Sequence, residues 1–197
     1  MLHLESDETL VERVKKGNQG AFSQLVHRHQ ETVYSICYRM TGNAAEAEDL
    51  AQEAFLRFYR GLNSFRAGAC LRPWLHKITT NVCLDALRRC NKATLPLEEL
   101  IEGENHPQVR SVDELPEDAC LSRETQLDVQ SALLRLPGDY RVVLVLRYLD
   151  DLSYQEIAQV LDVPVSTVET RLFRAKQMLG RVLAPKMWGK KEGGCST

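Results

Sequence analysis

Residues 152–179, LSYQEIAQVLDVPVSTVETRLFRAKQML, carry two helix-start signatures thirteen positions apart, a spacing that leaves this chain few folds to choose from. Ser153 followed by Glu156 fits a capping box, in which each side chain bonds the other's backbone N–H. It opens YQEIAQVL, with Ile157, Ala158 and Leu161 on the buried face. DVP supplies a tight turn. Ser166 followed by Glu169 fits a second box, opening a helix with Val168, Leu172, Ala175 and Leu179 inward. Thr167, Thr170, Arg171, Arg174 and Lys176 are left outward or flanking. Two capped helices joined by a short turn, the second one basic and polar at its start, have the geometry of a helix-turn-helix with its recognition helix. A plain helical hairpin in a bundle uses the same pattern.

Charge bears directly on a DNA-reading helix, because affinity for DNA comes largely from Lys and Arg neutralising phosphates. The whole chain has 25 Lys/Arg against 27 Asp/Glu, a net charge of −2, which is poor for a solitary DNA binder. The acidity is local, however. Residues 1–90 hold twelve basic and ten acidic side chains, residues 91–121 hold two and eight, and residues 122–197 hold eleven and nine. The acidic stretch has three prolines and little helical periodicity, so 91–121 reads as a linker between two mildly basic domains, either a solvated tether or a docking segment. Fully extended it spans at most about 100 Å, so the domains need not touch.

The first domain, 1–90, reads as all helix. Phe22, Leu25, Val26, Val33, Ile36, Cys37 and Met40 recur at three-and-four spacing, and TGN at 41–43 breaks the stripe. In the next helix Ala47, Leu50, Ala51, Ala54, Phe55, Phe58 and Leu62 face inward, while Glu48, Asp49, Gln52 and Glu53 face elsewhere, as a solvated face or an interface. A third helix buries Leu75, Ile78, Val82 and Ala86. Its other side carries Trp74, Lys77, Asn81 and Arg88, which can stack on bases and pair with phosphates, although Trp74 serves equally well as core. In the second domain, 122–184, Ser122 can cap a helix ending at Leu136–Pro137 and Asp139 another through YRVVLVLRYL. The fold class is all-α, two small helical domains and an irregular acidic linker, with a tail at 185–197 whose Gly-Gly composition suggests disorder.

Other classes find little support. The N-terminal stretch is charged where a signal peptide needs an apolar run, and no apolar segment approaches the roughly 20 residues of a membrane span, so a cytoplasmic protein is expected. Six cysteines show no C-x-x-C pair and no His at zinc spacing, and read as small buried hydrophobes with no metal or cofactor. There is no P-loop, G-x-S-x-G or H-E-x-x-H, and His27 and His29 fall on different helix faces, so no catalytic residues are assigned and no enzyme is expected. A self-sufficient repressor would need a dimerisation surface, and no heptad extension is present.

Three motifs, AEAEDLAQEAFLRFYRGLNSF, WLHKITTNVCLDALRR and LPGDYRVVLVLRYLDDLSYQEIAQVLDVPVSTVETRLFRAK, in their order and separation closely resemble the extracytoplasmic-function (ECF) sigma factors of bacterial RNA polymerase. The resemblance implies a first domain equivalent to sigma region 2, with Glu48, Asp49, Gln52 and Glu53 on the clamp of the polymerase's largest subunit. Phe65, Arg66, Trp74, Lys77, Asn81 and Arg88 fall where the family melts the minus-10 element and captures a flipped base. The second domain is then region 4, reading the minus-35 element with Thr167, Glu169, Thr170, Arg171 and Arg174. Leu71, Pro73 and Glu169 depart from the family's usual residues. The resemblance also implies core RNA polymerase, promoter DNA and an anti-sigma factor as partners, and it resolves the charge problem, since polymerase supplies much of the grip on DNA. Glu169 keeps two readings, a helix cap or an acceptor for cytosine N4.

Overall fold

The structure, a computed structural model, describes residues 5–65, 68, 70–92 and 123–188 of the chain. It contains α1 (Asp7–Lys15), α2 (Gln19–Thr41), α3 (Ala44–Gly61), α4 (Leu71–Lys92), α5 (Arg123–Leu134), α6 (Gly138–Tyr148), α7 (Tyr154–Leu161) and α8 (Val165–Trp188), with a 3-10 turn at Leu62–Ser64. No strand occurs among the described residues. The all-helical expectation holds, and the reasons are local. Asn18 starts α2 by accepting the Ala21 N–H at 3.1 Å. The TGN break works as a stop followed by a start. Gly42 ends α2 at φ +74°, its N–H bonded to the Tyr38 carbonyl at 2.8 Å, and Asn43 then caps α3 by accepting the Ala45 and Glu46 N–H groups. A side chain at Gly42 would be blocked twice, because a Cβ there would lie 2.3 Å from a Leu134 methyl.

The expected stripes on α2 and α3 form the core of the first half: Leu25, Val33, Ile36, Cys37 and Met40 meet Ala47, Leu50, Ala51, Ala54 and Phe58. Phe22, Val26 and Phe55 are half-buried at its edge. Helix α4 is buried on more sides than its periodicity predicts. Leu75, Val82 and Ala86 are buried as expected, but so are Leu71, His76, Thr79, Thr80, Cys83 and Leu84. The reason is tertiary: α4 packs against α2 and α3 and also against α6 and α7. The Thr79 and Thr80 hydroxyls tolerate burial by donating to the Leu75 and His76 carbonyls at 2.9 and 2.8 Å.

The two halves, which their linker would allow to stay apart, are packed together. Helix α6 is central to this, with six successive residues from Arg141 to Leu146 buried. The Arg141 guanidinium donates to the carbonyls of Leu133, Leu134 and Leu136 at 2.9, 2.7 and 2.9 Å, and to that of Met40 at the end of α2. Burial pulls its pKa below the ordinary arginine value, and the converging carbonyls hold the charge in place. Beside it Gln130 donates to the Tyr38 carbonyl at 3.1 Å and accepts from Arg39 at 3.2 Å. Further along, Arg72 donates to the Asp150 carbonyl at 2.7 Å. His76 and Asp150 face each other at 3.3 Å, buried but without the alignment of a hydrogen bond.

Three local expectations change. Asp139 does not cap α6. Pro137 occupies the position before the helix with no side-chain cap, its carbonyl accepting the Tyr140 and Arg141 N–H groups, so Asp139 falls within the first turn. Ser166 likewise is not an N-cap. The α7–α8 turn is so short that α8 starts at Val165, and the Pro164 carbonyl accepts from Thr167 and Val168 at 3.0 and 3.2 Å. The Ser166–Glu169 capping box is therefore not formed. Helix α5 stops at Leu134, two residues before Leu136, and Ser122 lies outside the described residues, as does the linker from 93 to 122. Helix α8 continues to Trp188, beyond the expected domain end at 184, and residues 189–197 lie outside the description.

The Ser153–Glu156 box is present: Ser153 Oγ accepts the Glu156 N–H at 3.3 Å and the Ser153 N–H donates to Glu156 Oε2 at 2.8 Å. Hydrogen bonds from the Ser153 hydroxyl and backbone hold the Glu156 carboxyl below its ordinary pKa. A carboxylate with a lowered folded pKa stabilises the fold above its unfolded pKa, near 4.5, and loses that contribution as the pH falls through the folded value.

Two outcomes follow. Arg141→Met, which keeps bulk but removes every donor, lowers the unfolding free energy by about 3 kcal/mol in urea titration, because buried carbonyls lose a charged partner. Ser153→Ala lowers it by about 1 kcal/mol at pH 7, and the difference from wild type shrinks when melts are repeated below pH 4.

Candidate functional site

Three surfaces carry the residues singled out from the sequence. The first is the outward face of α3. Glu48, Asp49 and Gln52 are exposed and make no hydrogen bond or ion pair with the described residues, while Glu53 is half-buried and accepts Arg57 Nε at 2.8 Å. That bond, with help from Asp85 on α4 at 3.6 Å, raises the Arg57 pKa. Glu53 is thus already paired, whereas Asp49 and Gln52, three apart on one face, are available to a partner. Leu56 and Tyr59 extend the face and are 51% and 48% exposed. Sequence reasoning missed them. The signal was present: both are apolar, both fall off the buried stripe, and Leu56 lies four positions after Gln52.

The second surface is the face of α4 on which Trp74, Lys77, Asn81 and Arg88 follow at steps of three, four and seven. Trp74 is half-buried, its ring centroid 5.2 Å from that of Phe58 and 4.8 Å from that of Phe65. Gly61 lies against it, and a Cβ there would come within 2.9 Å of the indole. Both readings of Trp74 therefore have a structural basis: the ring sits at the margin of the core. Phe65 is buried beneath it, and its carbonyl receives Lys15 Nζ at 2.8 Å, so in this arrangement Phe65 supports the tryptophan rather than facing solvent. Asn81 is exposed. Lys77 lies 3.7 Å from Asp162 in the α7–α8 turn, and Arg88 lies 3.6 Å from Asp85 and 4.0 Å from Asp139. Two basic members of this face thus meet carboxylates of the second half. Arg66 lies outside the described residues.

The third surface belongs to the helix-turn-helix. Asp162 turns the chain in the left-handed region at φ 56°, with its N–H and that of Val163 directed at the Ala158 carbonyl. Ile157, Ala158 and Val160 on α7 and Val168, Leu172 and Ala175 on α8 close the core between the helices. Glu169, Thr170 and Arg174 are exposed, and Thr167 and Arg171 are half-buried along the same edge. Thr170 Oγ1 donates to the Ser166 carbonyl at 2.8 Å, which fixes its rotamer. Lys176 lies over the Tyr148 ring at 5.4 Å. The edge carries guanidinium and hydroxyl groups with one carboxylate among them.

Among the described residues no three His, Cys, Asp or Glu side chains converge as metal ligands would, and no helix is long and apolar enough to cross a membrane. His29 is tied to Asp7 at 2.9 Å.

Two family models match the chain, Sigma-70 region 2 over residues 25–93 and Sigma-70 region 4 over residues 126–179. The ECF RNA polymerase sigma factor SigW of Bacillus subtilis is 40% identical over 177 residues, covering 88% of this chain and 94% of the relative. Among solved structures, CnrH in complex with the cytosolic domain of CnrY aligns with a TM-score of 0.65 at 26% identity, over 92% of this chain and 99% of that one. The sigma factor RpoE in complex with the anti-sigma factor NepR from Bartonella quintana shares the fold, with a TM-score of 0.62 at 22% identity over 83% of this chain and 96% of that one.

Because the second capping box is absent, Ser166→Ala and Glu169→Ala each shift the unfolding free energy by less than about 0.5 kcal/mol, as ordinary surface substitutions do. Thermal melts beside Ser153→Ala check this, and a loss at Glu169 equal to that at Ser153 contradicts it.

Proposed function

The chain belongs to the extracytoplasmic-function sigma factors of the sigma-70 family, and from that premise we propose how its three surfaces divide the work of directing RNA polymerase to a promoter. Promoter-specific initiation is the function; the assignment of residues to it is the reading that follows. Glu48, Asp49, Gln52 and Glu53 on α3 dock on the clamp of the polymerase's largest subunit. The observation that carries this is the Asp49–Gln52 face itself, polar, exposed and without a partner among the described residues. Leu56 and Tyr59 give the same face the apolar contact that a polar patch alone lacks.

Residues 1–90 act as sigma region 2 and 122–184 as region 4, joined by 91–121. Helix α4 engages the minus-10 element through Trp74, Lys77, Asn81 and Arg88, with Phe65 behind the tryptophan and Arg66, next in the chain, as a further contact. Unstacking a base costs a few kcal/mol, and stacking on Trp74 with hydrogen bonds to the exposed edge offsets it. Phosphates replace the carboxylates of Asp162 and Asp139 beside Lys77 and Arg88. The two ion pairs are at the surface, where such pairs contribute little, so the exchange is nearly free of penalty.

Thr167, Glu169, Thr170, Arg171 and Arg174 read the minus-35 element. With its capping role gone, Glu169 is a base reader that accepts from cytosine N4. The chain itself carries no chemistry and works in the cytoplasm, where the polymerase is. The RpoE neighbour is held by the anti-sigma factor NepR, and an anti-sigma protein is the third partner proposed for this chain.

Asp49→Ala combined with Gln52→Ala reduces affinity for core polymerase at least tenfold in fluorescence titration and leaves the melt unchanged. Equal affinity returns that face to solvent. In selections over randomised minus-35 sequences with holoenzyme, Glu169→Gln moves one preferred base from cytosine toward adenine, because a glutamine amide pairs with adenine N6 and N7. An unchanged preference removes Glu169 from the reading set.

A further inference from the structure

Cys37 on α2 and Cys83 on α4 bring their sulfurs to 3.7 Å in the core of the first half, and neither residue has any exposed surface. They take no part in the three surfaces above, and no third ligand stands beside them to hold a metal among the described residues. A disulfide needs sulfurs about 2.05 Å apart, so the pair is short of bonding distance by less than the width of a methyl group. The two positions are 46 residues apart in sequence, which makes them a bridge between helices rather than a local turn.

We propose that Cys37 and Cys83 are a modification site, converted by a hydroperoxide into an intramolecular disulfide that ties α2 to α4. In the first step one thiol attacks the hydroperoxide oxygen. The O–O bond breaks, the thiol proton passes to the departing oxygen to give an alcohol, and the sulfur becomes a sulfenic acid. In the second step the other thiol attacks that sulfur, the S–S bond forms, and the hydroxyl leaves as water with the second thiol's proton. Two thiols are oxidised by two electrons and one hydroperoxide is reduced to alcohol and water.

The surroundings set when this happens. The hydrogen bond with Cys37 and burial push the Cys83 thiol well above the ordinary cysteine pKa, so that thiol is a poor nucleophile in the closed structure, and burial shields both sulfurs from the oxidant. Reaction runs through local opening of the α2–α4 contact, in which one thiol is reached. Reclosing returns the sulfenic acid to its partner, which resolves it before further oxidation. The bond lies directly behind the seam between the halves: the Tyr38 carbonyl, next to Cys37, accepts from Gln130, and Leu84, next to Cys83, lies against Gly138. Closing a loop of this length restricts the unfolded chain and stabilises the first half.

The test uses the full chain with Cys70, Cys90, Cys120 and Cys195 changed to Ser, so that only the pair remains, treated with tert-butyl hydroperoxide. The expected result is loss of both thiols in a denatured titration, one cross-linked Cys37–Cys83 peptide in mass spectrometry, and a melting temperature raised by several degrees and restored by reductant. Low, non-denaturing urea speeds the reaction. Cys37→Ala in the same background shows no rise and ends at the sulfinic acid. The proposal is overturned if both thiols persist in native buffer and in low urea, or if sulfinic acids form in the paired protein without the cross-link.

Discussion

A buried guanidinium, that of Arg141, ties together the helix ends where the two halves of this protein meet. The last carbonyls of a helix have no partner within it and carry the negative end of its dipole, so a buried helix end calls for a donor, preferably a cation. Helices α2 and α5 both end against α6, and Arg141 donates to carbonyls of both from a position almost without solvent. Without it, that junction would bury several unsatisfied oxygens. Gly42 makes the approach possible, since a Cβ there would collide with Leu134, and Gln130 serves the neighbouring Tyr38 carbonyl.

The position of α4 depends on this junction. With α6 and α7 drawn against it, α4 becomes the shared wall of both halves, and its circumference is divided three ways. Leu75, Val82 and Ala86 complete the first core, Arg72, His76 and Leu84 meet the second half, and the stripe from Lys77 through Asn81 to Arg88 stays accessible. The polar stripe proposed to meet DNA is thus set on a helix fixed from two sides. A reading surface requires that rigidity, because a side chain that must first be ordered loses part of its binding energy to entropy. The chain's net charge of −2 suits the proposal, in which the hold on DNA is shared with polymerase.

Much of this was legible because it is local. The α2 and α3 stripes, the TGN break, the Ser153–Glu156 box and the Val168–Leu172–Ala175 face follow from helical spacing and cap chemistry, which act within four residues. The failures were also local patterns, overruled by neighbours. Ser166 and Glu169 have the right spacing for a cap, but the turn is so tight that the helix begins at Val165 and Ser166 falls inside it. Asp139 lost its cap position to Pro137, whose ring already fixes the backbone that a helix entry needs. Leu56 and Tyr59 went unassigned because the reading of that face followed its polar residues alone, although both fall off the buried stripe and are exposed.

The helical character of the chain, the places where most helices start and stop, the polar faces they carry and, through three motifs in order, the family and its function are legible in the residues alone. These are properties of residue type and spacing, and they do not depend on what lies across the core. Packing between elements set the rest: the halves meet, Arg141 has its acceptors on two helices, Phe65 lies beneath Trp74, and Cys37 meets Cys83. Each of these joins residues on different elements, and no periodicity along one helix encodes which face of another will meet it.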